Sequence, residues 1–420
     1  MALWPLLALV AGPAAAAAGE FRLFLEGEAG VRNEGDYAQG DQAQGTQDQA
    51  VGRAGLNLQL SYQRERLELA MGYSPSYERG FGHPERLSGV SNRLDFGLQT
   101  DLSRRLKLSA RERLFSSPTL DLYVPSQAET TVATRQGDQL VHSLDVEVEN
   151  AVSSRTSIRF GVSHGIREYR GSNLADSREL LGRLGASFAL DRGQHVEATA
   201  DAGRYDYGDR GEADVRSFGL AWAADLGRSS HLRLEGGAYS VDSTLRIVGV
   251  DGEPDFLGST DRGWRGNAQF SQERRLFHWA LGLAHDVSPG AGLGRAAQAD
   301  NVFLGISTTV VGRQLTLGLD ANGSRQREIA GNSGIRTGTN PSLIDYAAGT
   351  AHASWSFGPA LRLDGGYSRV WQRSRVEPFP DLSYGRYFLN LAFRIYRTGE
   401  TPREPDHLGE PTTDEHPDAQ

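Results

Sequence analysis

The side chains with chemistry to offer in this sequence are charges set at every second position. Lys107, Arg111 and Arg113 form one such row, and Asp145, Glu147 and Glu149 another. Period two is the repeat of a β-strand, whose alternate side chains share a face. Strands carrying a basic and an acidic row as neighbours make cross-strand ion pairs. Such pairs brace a wall, or, around a water-filled space, set a transverse field that orients polar solutes. A second group, Arg22, Arg362, Arg386 and Arg394, comes from the two ends of the chain. It assembles only if the first strand lies beside the last. Arg159, Arg167, Arg183, Arg233 and Arg265 occupy the polar faces of their own runs, offset by Glu26, Glu28, Asp95, Glu197, Asp201, Glu235 and Asp364. The polar face is therefore mixed in sign, which argues against a polyanion conduit lined by rings of one charge.

Other chemistries find little support. The chain has no Cys, which excludes disulfides and thiolate metal sites. H-E-x-x-H does not occur, and the one G-x-S-x-G match, Gly161 to Gly165, lies within a run of strand period. Of the ten histidines, His83, His195 and His231 fall in expected turns or loops and His407 and His416 near the C-terminus. No catalytic residue, cofactor or metal ligand is assigned, and an enzyme is not expected. The acidic tracts Asp206–Asp214 and Asp251–Asp255 lack calcium-loop spacing and read as solvated loops. A net charge of -9 leaves no basic stripe for nucleic acid.

The elements that position these charges are strands of about ten residues. Ala54, Leu56, Leu58, Leu60 and Tyr62 oppose Arg53, Gly55, Asn57, Gln59 and Ser61, and Leu315, Leu317 and Leu319 oppose Thr316, Gly318 and Asp320. Eighteen such runs span residues 20–396 by this reading, including 104–116, 139–150, 230–241, 262–273 and 384–396. Short separators such as Gln63-Arg64, Gly227-Arg228-Ser229 and Gly358-Pro359 alternate with long polar stretches, among them 34–49, 117–138, 205–213, 242–261 and 327–345. Small residues recur on the polar faces (Gly97, Gly185, Gly219, Ala221, Gly282, Gly318, Gly366) and are expected to leave room inside. A mean hydropathy of -0.46 excludes a bundle of membrane helices. The expected fold is all-β: a transmembrane antiparallel up-and-down β-barrel of about 18 strands, apolar outside and polar within.

The ends of the chain fit that expectation. Leu3 to Val10, a Gly-Pro break and the alanines at 14–18 form a signal peptide with an A-x-A site, although no Lys or Arg precedes it. Residues 1–18 are thus expected to be removed, 19–397 to form the barrel and 398–420 to be an acidic, Pro-rich disordered tail in the periplasm. Trp222, Trp264, Trp279, Trp355 and Trp371 fall near strand ends and suit interfacial girdles.

In the last run, Tyr387, Leu389, Leu391, Phe393 and Ile395 alternate with Phe388, Asn390, Ala392, Arg394 and Tyr396. This aromatic-rich terminal strand resembles that of Gram-negative outer-membrane β-barrel proteins, including the porins. The resemblance implies an outer-membrane location with both termini periplasmic. It implies contact with outer-membrane lipid and lipopolysaccharide, and recognition by the barrel-assembly machinery during biogenesis. Its leading functional implication is a porin-like channel for passive diffusion of small polar solutes; homo-oligomers are compatible with it. The alternatives are the barrel component of an exopolysaccharide or polymer export system, and a structural or adhesive barrel.

Overall fold

A computed structural model describes residues 20–34, 49–81, 88–117, 138–170, 175–248, 254–288, 296–310, 314–329, 343–374 and 381–397. The signal peptide expected at 1–18, the tail at 398–420 and nearly all of the stretch 117–138 lie outside them. Eighteen strands follow in order: β1 (Glu20–Glu34), β2 (Gln49–Arg64), β3 (Leu67–Phe81), β4 (Gly89–Asp101), β5 (Leu106–Ser117), β6 (Asp138–Ala151), β7 (Thr156–Arg170), β8 (Ser177–Ala189), β9 (Gln194–Asp206), β10 (Gly211–Asp225), β11 (Ser230–Val248), β12 (Pro254–Arg274), β13 (Phe277–Ser288), β14 (Ala297–Val310), β15 (Leu315–Glu328), β16 (Leu343–Ser356), β17 (Leu361–Ser374) and β18 (Leu382–Arg397). Each pairs antiparallel with its sequence neighbours, and β1 pairs with β18 from Phe24↔Arg397 to Glu34↔Arg386, so the sheet closes. No helix among the described residues is long and apolar enough to cross a membrane; here the strands are the spanning elements.

The connections alternate in length, two to four residues at one rim and four to twenty at the other. Turn chemistry explains the short rim. Gly227 and Gly358 adopt φ of 90° and 77° in the β10–β11 and β16–β17 turns, where a side chain would be strained. In the β4–β5 turn, the Ser103 hydroxyl accepts from the Arg105 and Leu106 amides at 3.2 and 3.1 Å.

Two expected loops are corrected. Residues 205–213 turn within Tyr207–Arg210, and β11 and β12 run on to Val248 and from Pro254 through the stretch expected to be a loop at 242–261. The polar residues there are strand residues whose outer faces rise past the apolar band: Arg204 donates to Asp214 at 2.8 Å, and Thr260 to Asp242 at 2.7 Å.

Alternation assigns the faces. Leu184, Leu220, Leu283, Leu389 and Phe160 stand about half exposed on one face, whereas Glu26 and Glu197 on the other face are buried. Large apolar side chains on the outside have no protein to bury against and must meet lipid. The five tryptophans among the described residues face outward. Trp222, Trp279 and Trp355 lie toward the short-turn rim, and Trp264 and Trp371 on the long-connection side. Polar pairs interrupt the apolar face: Glu112 on β5 accepts from His142 on β6 at 2.9 Å, and Asp300 on β14 meets His285 on β13 at 2.5 Å.

Candidate functional site: the inner wall

The inner wall is built from strand periodicity plus register. The turns place Asp201 opposite Arg183 on β8 and opposite Ser217 on β10, and place Arg265 opposite Gly237 on β11. Gly237 in turn faces Gly219, and Gly219 faces Thr199. With two glycines between them, the Arg265 side chain crosses β11 and β10 and reaches β9. Its guanidinium donates to Asp201 at 2.7 Å and to Glu235 at 2.9 Å, and sits 3.6 Å from Asp286. Arg183 holds the other Asp201 oxygen at 2.7 Å.

The same device repeats below. Gly185 lies between Arg159 and Thr199, so Arg159 spans β8 to pair with Glu197. Arg233 crosses the small Ala221 and Ala223 of β10 to reach Glu197 at 3.1 Å, and touches Glu235 at 3.4 Å. Four guanidiniums and four carboxylates thus form one continuous lattice on β7–β13. Its acids are sunk against the wall: Glu197, Glu235 and Asp201 are 8%, 9% and 12% exposed. Buried carboxylates of this kind are tolerable only when each is paired and hydrogen-bonded.

The Arg group expected at the closure is all inward-facing. Register puts Arg22 opposite Ser61, Arg362 opposite Ala392, Arg386 opposite Ser368, and Arg394 opposite Glu26. Arg362 crosses β18 over Ala392 to meet Glu26 at 3.4 Å and also holds Asp364 at 3.0 Å. Arg394 stacks 5.1 Å above the Phe24 ring. Beyond Arg394, a bulge at Ile395 shifts the register of β18 by one residue, so that Tyr396 rather than Ile395 stands opposite Leu25.

The first pair of rows lies on adjacent strands. Lys107 stands opposite Glu149, Arg111 opposite Asp145, Arg113 opposite Ser143 and Ser109 opposite Glu147. Its acids also engage the next strand. The Asp145 carboxylate accepts from the Ser163 hydroxyl at 2.6 Å, and Glu147 lies over Gly161.

Sequence reasoning placed Arg159, Arg183, Arg233, Arg265 and their acids on the polar face one by one. It missed that they form one connected charged cluster. The available signal was the small residues between them. Those residues do not simply leave room: a side chain covers Gly282 (Phe303), Gly318 (His352), Gly366 (Phe388) and Gly55 (Glu28), while only open space lies over Gly97. They are spacers beneath long side chains.

At the long-connection rim the inner face turns apolar. Tyr205, Tyr207, Ala213, Val215, Tyr239 and Val241 are buried together, with Leu181, Val287 and Ile329 against them. Burial pushes the Tyr207 phenol, in the β9–β10 connection, well above its ordinary range. The Tyr239 hydroxyl is tied to Gln298 at 3.2 Å. This cluster lies between the charged lattice and the long connections.

No protein-family model and no curated protein matches the chain. Among solved structures, it is similar to Pseudomonas aeruginosa OccK2 (OpdF) in complex with glucuronate, at 11% identity and TM-score 0.44, covering 89% of this chain and 98% of that one. It is also similar to Acinetobacter baumannii OccAB4, at 10% identity and TM-score 0.45 over 90% and 98% of the two chains. A BenF-like porin from Pseudomonas fluorescens Pf-5 aligns at 11% identity and TM-score 0.46, over 90% and 99%.

Proposed function

We propose that the protein is a porin-like channel of the Gram-negative outer membrane through which small polar solutes diffuse passively. The observation that carries this reading is the closed eighteen-stranded barrel with an apolar outer face and a charged inner wall. A closed sheet with apolar side chains outward is a structure for lipid, because no backbone edge is left unpaired. A barrel of 16–18 strands is too wide for its own side chains to fill, and encloses water. The charged residues of the inner wall, the Lys107–Glu149 rows and the Arg22, Arg362, Arg386 and Arg394 group among them, then line the path. Residues 1–18 serve as an export leader, the last strand is the segment offered to the barrel-assembly machinery, and both termini and the tail at 398–420 face the periplasm. Lipid and lipopolysaccharide surround the apolar band. The protein acts as a conduit, without an enzymatic step.

The test is planar-bilayer recording of the purified full chain. Discrete conductance steps in KCl that are lost on heat denaturation are expected. A folded, inserted barrel that never conducts refutes the reading.

A further inference from the structure

The inner-wall lattice also bears on which solutes pass, on the reading that the barrel is a channel. Its guanidiniums and carboxylates are equal in number. Arg159 and Arg233 share Glu197, Arg183 and Arg265 share Asp201, and Arg233 and Arg265 share Glu235. The lattice ends at Arg159, Arg183 and Asp286, and its most exposed ends carry opposite signs: Arg183 at 54% and Asp286 at 47%, against 14% for the Arg265 between them. Away from the lattice the wall repeats the theme. Arg53 pairs with Glu28 at 2.9 Å, Arg93 with Asp95 at 2.7 Å, and Arg362 with Asp364 and Glu26.

We infer that this wall selects for dipolar solutes of zero net charge, zwitterions above all, over monovalent anions and cations of the same size. A monovalent anion that takes a wall guanidinium competes with the carboxylate it holds, and leaves that acid sunk against the wall with a weakened partner. A cation faces the mirror-image cost, since the carboxylates are already bonded. Breaking one side of a desolvated pair is far more costly than exchanging it. A zwitterion brings both signs: its anionic end takes guanidinium donors while its ammonium takes the released carboxylate, and every charge stays paired.

The experiment uses the full chain in proteoliposomes at zero membrane potential, with three solutes of matched size. These are 4-aminobutanoate (zwitterion), 4-hydroxybutanoate (anion) and 4-aminobutanamide (cation). Flux of the zwitterion is expected to exceed that of each ion by about threefold or more, and the zero-current potential in a KCl gradient to lie near zero. Arg265→Gln removes the cation shared by three carboxylates. It is expected to raise the K⁺/Cl⁻ permeability ratio by about twofold or more, from one unit charge within a Debye length of the path, and to bring the cation's flux up to the zwitterion's. The double variant Arg265→Gln with Glu235→Gln keeps the lattice neutral. It serves as the fold control, returning the zero-current potential to near zero. Equal or greater flux of either ion through the unaltered protein overturns this inference and leaves the channel reading intact. So does a potential unmoved by Arg265→Gln in a barrel that still shows heat-modifiable migration. Absence of any conductance overturns both.

Discussion

Replacing Leu184 by Arg places a guanidinium in the middle of the outer face of β8. Leu184 is 54% exposed and lies between Phe160 on β7 and Ala200 on β9. No acidic side chain stands opposite it on either strand, and the exposed half of the leucine has only lipid to cover it. Losing the leucine costs about 2 kcal/mol of apolar burial. An arginine near the bilayer midplane adds about 2–4 kcal/mol, so the total is about 4–6 kcal/mol, reduced if the arginine snorkels to the interface. The matched change on the other face is Gly97→Arg on β4. Its Cβ meets open space, and the inner face it joins already carries Arg111 opposite. One more cation there costs no more than about 1 kcal/mol, the scale of exposed like-charge pairs. The assay is reversible urea unfolding from lipid vesicles, followed by tryptophan fluorescence and by the electrophoretic shift of the folded barrel. Equal destabilisation by the two variants, or a larger loss for Gly97→Arg, would falsify the assignment of faces, and with it the inner wall.

Two further predictions concern single positions. Gly237 and Gly236 are neighbours on β11, but a Cβ on Gly237 meets the Phe218 carbonyl and the Gly219 backbone, whereas one on Gly236 meets nothing. Gly237→Val should therefore cost well over the roughly 1–3 kcal/mol of ordinary overpacking and lower the yield of folded barrel, while Gly236→Val should fold as the parent does; similar yields would contradict the close approach of β10 and β11. On the outer face, His142→Leu strands the Glu112 carboxylate beside apolar neighbours and should destabilise the barrel by about 1–3 kcal/mol, whereas Glu112→Leu removes the charge and should be neutral or stabilising. Urea midpoints of the two variants measure this, and the reverse order would show that the pair does not behave as a carboxylate held by its histidine.

Strand number, sidedness of each strand and closure were legible in the sequence because the side-chain period of a strand is two and has no free parameter. Once Leu315, Leu317 and Leu319 are apolar, Thr316, Gly318 and Asp320 are committed to the other face. The alternation of short and long connections was equally local, since turn residues such as Gly227 and Gly358 declare themselves. Strand ends were less legible where polarity misled. The tracts around 205–213 and 242–261 look like loops because both faces of a strand that rises beyond the lipid are free to be polar.

What only the tertiary structure decided is which inward charges meet. That depends on register across several strands, and a one-residue change moves a side chain to the other face. The Ile395 bulge does this at the end of β18, where Tyr396 rather than Ile395 stands opposite Leu25. Arg265 and Asp201 are 64 residues apart in sequence. They touch because glycines on two intervening strands fall in one line under the arginine. No pattern within either strand specifies that line. The sequence by itself determined a barrel with a polar, mixed-charge interior; the closed sheet determined that those charges form a neutral lattice, because reach across a wall is set by neighbours in space.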